Sequence, residues 1–185
     1  DTEAAMDTHL TNVMTANPEV ILVWGTSVGS GKIAKRMRDK GIDLPYVGSH
    51  GIANQEFITQ AGEAANRAIF PAGKMLIYDQ ALETGSEEYG FIKDFADAYL
   101  EEYGEQINTF AGHGWDGIHI VAEALKRVGP DATRAELRDE IEATQGLVGT
   151  AGVFTYGPTD HNGLSPDDLV MVTIEGGEWV LAEQP

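Results

Sequence analysis

Gly25-Thr26-Ser27-Val28-Gly29-Ser30-Gly31-Lys32 is the stretch with the most evident chemical potential, lying between the apolar run Val20–Trp24 and a helical pattern over Lys32–Lys40. A strand entering a glycine-rich turn and then a helix can aim backbone N–H groups at a phosphate, reinforced by the helix dipole. The register of a Walker loop, G-x-x-x-x-G-K-S/T, is not met. Counting back from Gly31-Lys32 puts Thr26 where the first glycine belongs, and Ile33 replaces the magnesium-binding hydroxyl. Gly29-Ser30-Gly31-Lys32-Ile33-Ala34 does fit the dinucleotide spacing G-x-G-x-x-A, but the acidic residue expected about twenty positions on has only Glu56 as a candidate. Glu56 falls at a helix start, where a strand end is required. A nucleotide-dependent α/β enzyme using Gly25–Lys32 is therefore the rival reading, set against a plain strand-to-helix turn.

Other chemistries find less support. The chain has no cysteine, so it has no disulfide, thiolate metal ligand or thiol nucleophile. His9, His119 and His161 have no metal-ligand spacing, and Asp160-His161-Asn162-Gly163 lacks the spacing and closing Glu of a calcium loop and reads as a turn. No hydrolase elbow is expected at Ser27, and no metal or cofactor is expected.

Composition narrows the partners. Asp and Glu outnumber Lys and Arg by 30 to 12, a formal net charge of −18, which repels nucleic acid and anionic membranes. No apolar run approaches the roughly 20 residues that span a bilayer. The chain opens on an amphipathic helix pattern with neither Met nor a signal peptide, so a mature product or a fragment is expected.

The elements that would position these residues alternate as in a parallel α/β layer over the first seventy residues. A helix with Leu10, Val13 and Met14 stops at Asn17-Pro18, and the strand Val20–Trp24 follows. Next come the helix ending at Gly41, a strand Tyr46–Gly48, a helix capped by Asn54, and a strand Ala68–Phe70. Three helices then follow. The first opens at the capping signature Thr84–Glu87 and ends at Gly104, the second spans Trp115–Val128, and the third starts at the capping box Thr133–Glu136. Phe91, Phe95, Tyr99 and Trp115, at helical spacing, are expected in the core. The tail reads as strands Val153–Tyr156, Leu169–Ile174 and Glu178–Leu181, with a hairpin turn at Gly176-Gly177. Three short parallel strands are few for a doubly wound sheet, so further strands are expected outside this chain.

The collinear order Asn17-Pro18-Glu19-Val20, Gly25-Thr26-Ser27, Lys40–Pro45, Gly48-Ser49-His50-Gly51, Phe57 and Ala61–Ala65 resembles the periplasmic solute-binding receptors of the branched-chain amino-acid ABC-transporter type. The later segments Phe110–Gly129 and Gly149–Val180 resemble the same family, so the similarity covers the whole chain. "SHGIAN", "FAGHGWD" and "PTDHNG" are most similar to the branch that takes up aromatic carboxylates. The resemblance implies part of a two-lobed α/β, type I periplasmic-binding fold: a parallel doubly wound sheet with a C-terminal antiparallel hairpin. Residues 1–71 would belong to the C-terminal lobe, 72–146 would return to the N-terminal lobe, and 147–185 would complete the C-terminal lobe. The missing N-terminal half would supply the rest, with hinges near Pro71 and Leu147.

Ligands of doubly wound lobes bind beyond the carboxyl ends of the parallel strands. That rule selects Thr26, Ser27 and Val28 after the first strand, and His50 and Gly51 after the second. The family's C-terminal-lobe contacts lie in these loops, and amino-acid binders carry an acidic residue where this chain has His50. An imidazole pairs badly with an ammonium group and favours a carboxylate, phenol or carbonyl. Each of these residues could instead be a solvent-facing loop residue. His113 is a further candidate, with a helix-capping role as its alternative. The implied function is an extracytoplasmic receptor without catalytic activity. It would bind a small organic acid, an aromatic carboxylate or a branched-chain amino acid, and deliver it to an ABC permease.

Overall fold

The computed structural model describes residues 3–183. In chain order the elements are α1 (Glu3–Met14), β1 (Ile21–Val23), α2 (Ser27–Asp39), β2 (Tyr46–Gly48), α3 (Gln55–Ala61), β3 (Ile69–Gly73), α4 (Tyr78–Ala81), α5 (Glu87–Tyr103), α6 (Thr109–Val128), α7 (Arg134–Glu142), β4 (Leu147–Val148), β5 (Val153–Phe154), β6 (Leu169–Glu175) and β7 (Glu178–Leu181). They divide into two compact units. One holds the residues up to Ala72 and those from Met171 onward; the other is Gly73–Val170.

The first unit is built on a sheet of order β1-β2-β3-β6-β7. β1, β2 and β3 run parallel, with Ile21 beside Tyr46, Leu22 beside Val47, and Val47 beside Ile69. β6 and β7 form the expected antiparallel hairpin, Val172 opposite Leu181 and Ile174 opposite Trp179, turning through Gly176 (φ 61°) and Gly177 (φ 87°). Alternation along the strands buries Tyr46, Phe70, Val172 and Ile174. Tyr46 packs on Phe57 of α3 with ring centroids 5.8 Å apart, and Phe70 meets Trp179 edge-on at 5.7 Å. Asp7 of α1 holds Arg36 of α2 through two hydrogen bonds of 2.6 and 2.7 Å.

In the first unit two boundaries depart furthest from expectation. α2 starts at Ser27, so Val28 to Gly31 are helical and do not form a loop. Their glycines answer to packing: a Cβ on Gly31 would lie 2.7 Å from Gln60 Cβ and 3.0 Å from the Phe57 carbonyl, whereas Gly29 faces open space. β3 continues past Phe70 through Pro71 to Gly73.

The second unit consists of α4–α7 and the two-residue ribbon β4–β5 around Ile120, Ala151 and Phe154. α6 begins at Thr109 because Asn108 caps it by accepting from Ala111 N; the expected start at Trp115 lies well inside the helix. Gly112 permits that early start, since a Cβ there would meet Met75 Sδ and Thr150 Oγ1 at 2.6 Å each. Leu147–Val148 and Val153–Phe154, expected to rejoin the first lobe, pack within this unit. The Asp116 carboxylate fixes the turn between them by accepting from Thr150 N (2.7 Å), Thr150 Oγ1 (2.9 Å) and Ala151 N (2.9 Å). The turn expected at Asp160–Gly163 is present, with Asp160 Oδ1 accepting from Asn162 N and Gly163 N.

Candidate functional site

Parallel strands β1 and β2 end side by side, so the loops leaving them are neighbours. Thr26 is the N-cap of α2 in extended conformation (φ −124°, ψ 154°), yet its side chain caps nothing. α3, α5, α6 and α7 all carry a side-chain cap at this position. The first N–H groups of α2, and the Thr26 hydroxyl, therefore retain hydrogen-bonding capacity at the mouth of the sheet. Ser27 follows with φ of 28°, a left-handed value that residues with side chains rarely adopt and that concentrates at ligand clamps. Thr26 and Val28 are exposed and Ser27 is half-buried.

The β2 loop is locked onto this one by Ser49. Its buried hydroxyl donates to the Gly25 carbonyl at 2.6 Å and accepts from Gly51 N at 3.2 Å. Asn54 adds a bond from Nδ2 to the Gly51 carbonyl at 3.1 Å, while its Oδ1 accepts from Phe57 N at the start of α3. Gly51 sits so close to the β1 loop that a Cβ would come 2.7 Å from Gly25 O and 2.8 Å from Thr26 Cγ2. His50, half-buried, opens the single 3-10 turn His50–Ile52 between these anchors. The structure thus brings Thr26, Ser27, Val28, His50 and Gly51 together at one edge of the first unit. His113 belongs to the second unit, exposed in the second turn of α6, and Asn108 takes the capping role considered for it.

The sequence marks Asn54 as the cap of α3 but not its bond back to Gly51, and it does not single out Ser49. A small hydroxyl residue before a glycine gives only a weak turn signal, and the bond to Gly25 spans two strands.

The same geometry bears on two other chemistries. Gly29, Gly31 and the exposed Lys32 lie along α2, so they form no glycine-rich loop. Gly25-Thr26-Ser27-Val28-Gly29 does have the G-x-S-x-G spacing of a hydrolase elbow, contrary to expectation, and stands at a strand-to-helix turn. Among the described residues, however, no hydrogen bond reaches the Ser27 hydroxyl, so no base is placed to activate it.

Phe91, Phe95, Tyr99 and Trp115, expected in the core, line an open groove of about 820 Å³ between α5 and α6 instead. Helical spacing put them on shared faces correctly; nothing in the second unit covers those faces.

A family model described as periplasmic binding protein matches residues 2–178. No curated protein sequence matches the chain. Among solved structures, an extracellular ligand-binding receptor from Rhodopseudomonas palustris superposes with a TM-score of 0.85 at 24% identity, over 99% of this chain and 52% of that one. The branched-chain amino acid transporter substrate-binding protein LivJ from Streptococcus pneumoniae, solved with isoleucine, gives a TM-score of 0.73 at 29% identity, over 97% of this chain and 47% of its own. A leucine-binding protein, LivK, from Thermotoga maritima gives 0.75 at 19% identity, over 96% and 47%. The chain thus spans about half the length of the solved proteins it matches.

Proposed function

Because this chain belongs to the periplasmic binding protein family, we propose that it forms part of an extracytoplasmic receptor that captures a small organic acid and hands it to an ABC permease, catalysing nothing itself. The observation that carries the proposal is the pair of strand-end loops locked by Ser49, which presents Thr26, Ser27, Val28, His50 and Gly51 on one edge of a parallel sheet. That edge is where open α/β sheets take ligands. Val28 offers apolar wall; Thr26, Ser27, the N–H groups at the start of α2 and the His50 imidazole offer oriented hydrogen bonds to an oxyanion or carbonyl.

The ligand class follows from that lining. Among the side chains at this edge none is acidic, and an imidazole does not recruit an ammonium group. Aromatic carboxylates are therefore the first choice and branched-chain amino acids the second. The net charge of −18 does not oppose this, since local donors act at hydrogen-bond distance while the distant field is screened within roughly 8 Å.

In this reading residues 1–71 are part of the C-terminal lobe and 72–146 the helical return to the N-terminal lobe. The other ligand wall comes from an N-terminal half beyond this chain, and the lobes of the longer receptor close on the ligand. His113 would take part only in that longer protein.

Thermal unfolding of the longer receptor with benzoates, aliphatic amino acids and nucleotides tests the proposal. A ligand at a hundred times its dissociation constant adds about 2.7 kcal/mol of stability, which is readily seen as a melting shift. A shift with an acid from the first two groups is expected; a shift with ATP or NAD alone would sink the receptor reading.

A further inference from the structure

Ser30, in the opening turns of α2, carries a hydroxyl that the site described above leaves unused. The residue is 2% exposed, and its Oγ has no hydrogen-bond partner among the described residues. A buried hydroxyl without a partner destabilises a fold, so one that persists needs a reason. This one is aimed at the helix N-terminus: a Cβ on Gly25, the residue ahead of the cap, would lie 2.7 Å from it. The ordinary partner of a helical Ser or Thr hydroxyl is the carbonyl four residues back. Thr8, Thr11 and Thr59 make that bond at 3.0, 2.7 and 3.0 Å. Ser30 does not make it to the Thr26 carbonyl, and its own N–H reaches that carbonyl only at 3.4 Å. The first turn is thus slack, while the helix behind it is pinned. The Tyr46 hydroxyl donates to the Ser30 carbonyl at 3.3 Å, and Gly31 is packed against α3.

We infer that the first turn of α2 is a seat for an ionised ligand oxygen, a carboxylate, and that Ser30 is the positioning residue that tightens it. This rests on the receptor reading above, to which it adds the charge of the bound group and a residue outside the contact set. An anion at the Val28 and Gly29 N–H groups draws on the helix dipole, and neither an acidic side chain nor a side-chain cap occupies that turn. As the turn closes on the anion, the Ser30 hydroxyl donates to the Thr26 carbonyl and is no longer unpaired. The bond fixes the peptide around which the first turn winds, and with it the direction of the two N–H groups. Gly29 leaves the approach open, since nothing stands within 4 Å of a Cβ built there. Lys32 lies one turn behind Val28 on the same helix face and is exposed, and no described residue forms an ion pair with it, so it adds positive charge on that side. A neutral amide or an alkyl group gains far less from a helix N-terminus, so the seat selects acids over their neutral isosteres.

The test pairs stability with binding. Ser30→Ala removes an unpaired hydroxyl, so the urea midpoint of the chain should hold or rise. In the longer receptor the same change should weaken benzoate binding about three- to tenfold in calorimetry. Ser30→Cys, close in size but a weak donor, should behave like Ser30→Ala and separates the hydrogen bond from packing. Benzamide, a neutral isostere, should bind the parent receptor more weakly than benzoate and change little in either variant. In the ¹⁵N-labelled chain, benzoate should shift the Val28 and Gly29 amide signals saturably. A lowered midpoint in Ser30→Ala would overturn the inference, because the hydroxyl would then already be bonded. So would the absence of those amide shifts, benzoate affinity unchanged in both variants, or equal losses for benzoate and benzamide. The two readings fail separately. Saturable Val28 and Gly29 shifts, with no acid or amino acid raising the melting temperature of the longer receptor, defeat the receptor reading alone. A melting shift with benzoate, joined to unchanged affinity in both Ser30 variants, defeats the seat alone.

Discussion

Ser49 Oγ donates a 2.6 Å hydrogen bond to the Gly25 carbonyl and accepts a 3.2 Å bond from Gly51 N, so one buried hydroxyl joins the loops that leave β1 and β2. Replacing it with Ala leaves a carbonyl and an N–H without that partner. Ser49→Ala should cost about 1 kcal/mol of stability in urea unfolding of the chain and should weaken acid binding by the longer receptor, because the two loops lose their shared anchor. Ser49→Thr, which keeps the hydroxyl, should recover much of the binding. Wild-type affinity in the Ala variant would show that the loops are held by other contacts.

His50 is placed between the Ser49 and Asn54 anchors and is half-buried at the strand-end edge. If it bonds the ligand oxyanion, His50→Ala should weaken binding by about 1.5–3 kcal/mol in calorimetry, the range for hydrogen bonds to charged groups, with circular dichroism unchanged. An unaltered dissociation constant would remove His50 from the site.

The glycines separate by what surrounds them. Gly51→Ala forces a Cβ to within 2.7 Å of a backbone oxygen and should cost about 1–3 kcal/mol, with a loss of ligand binding. Gly31→Ala meets Gln60 and Phe57 of α3 and should also destabilise. Gly29→Ala meets nothing within 4 Å and lies in the first turns of a helix, so it should stabilise by up to about 1 kcal/mol. The same sign for all three in denaturant titrations would contradict the packing.

What the sequence disclosed follows from the range of each interaction. Local signals read correctly: the capping box at Thr133 and Glu136 and the hairpin through Gly176-Gly177 depend on residues within four positions of one another. The cap of α5, by contrast, is Ser86, accepting from Tyr89 N, and the box expected at Thr84 and Glu87 does not form. Helix starts rich in glycine did not read correctly. Gly29 and Gly31 in α2, and Gly112 and Gly114 in α6, argue locally against a helix. Gly31 and Gly112 are where α3 and Met75 with Thr150 come closest, contacts that no local window contains. Of the proposed site, Thr26, Ser27, Val28, His50 and Gly51 were selectable because strand ends are predictable, whereas Ser49 emerged only from a bond 24 positions long in sequence. Phe95 and Trp115 show a different limit, since periodicity reports which residues share a face and is silent about what covers it.

Acid and base should each reduce stability through identifiable groups. Hydrogen bonding to the Arg36 guanidinium is the largest influence on Asp7 and takes its pKa from 3.8 down to about 2. Burial pushes Asp168 upward, but this is outweighed by hydrogen bonds from the Ser165 and Val153 backbone and the Ser165 hydroxyl, so its pKa is also lowered. A carboxylate with a depressed folded-state pKa contributes stability above its unfolded value, here 3.8, and loses it as pH falls toward the folded value. Urea midpoints should therefore hold steady down to about pH 5 and decline steeply below about pH 4, and Asp7→Asn and Asp168→Asn should each flatten that decline. Tyr46 acts at the other end: burial raises its phenol above the usual 10.0, so its contribution is complete below pH 10.0 and is lost as pH rises beyond it. Tyr46→Phe should remove that alkaline loss. An acid limb with the wild-type slope in both Asn variants would show that the declining stability comes from the general excess of carboxylates over basic groups, and not from these two fixed ones.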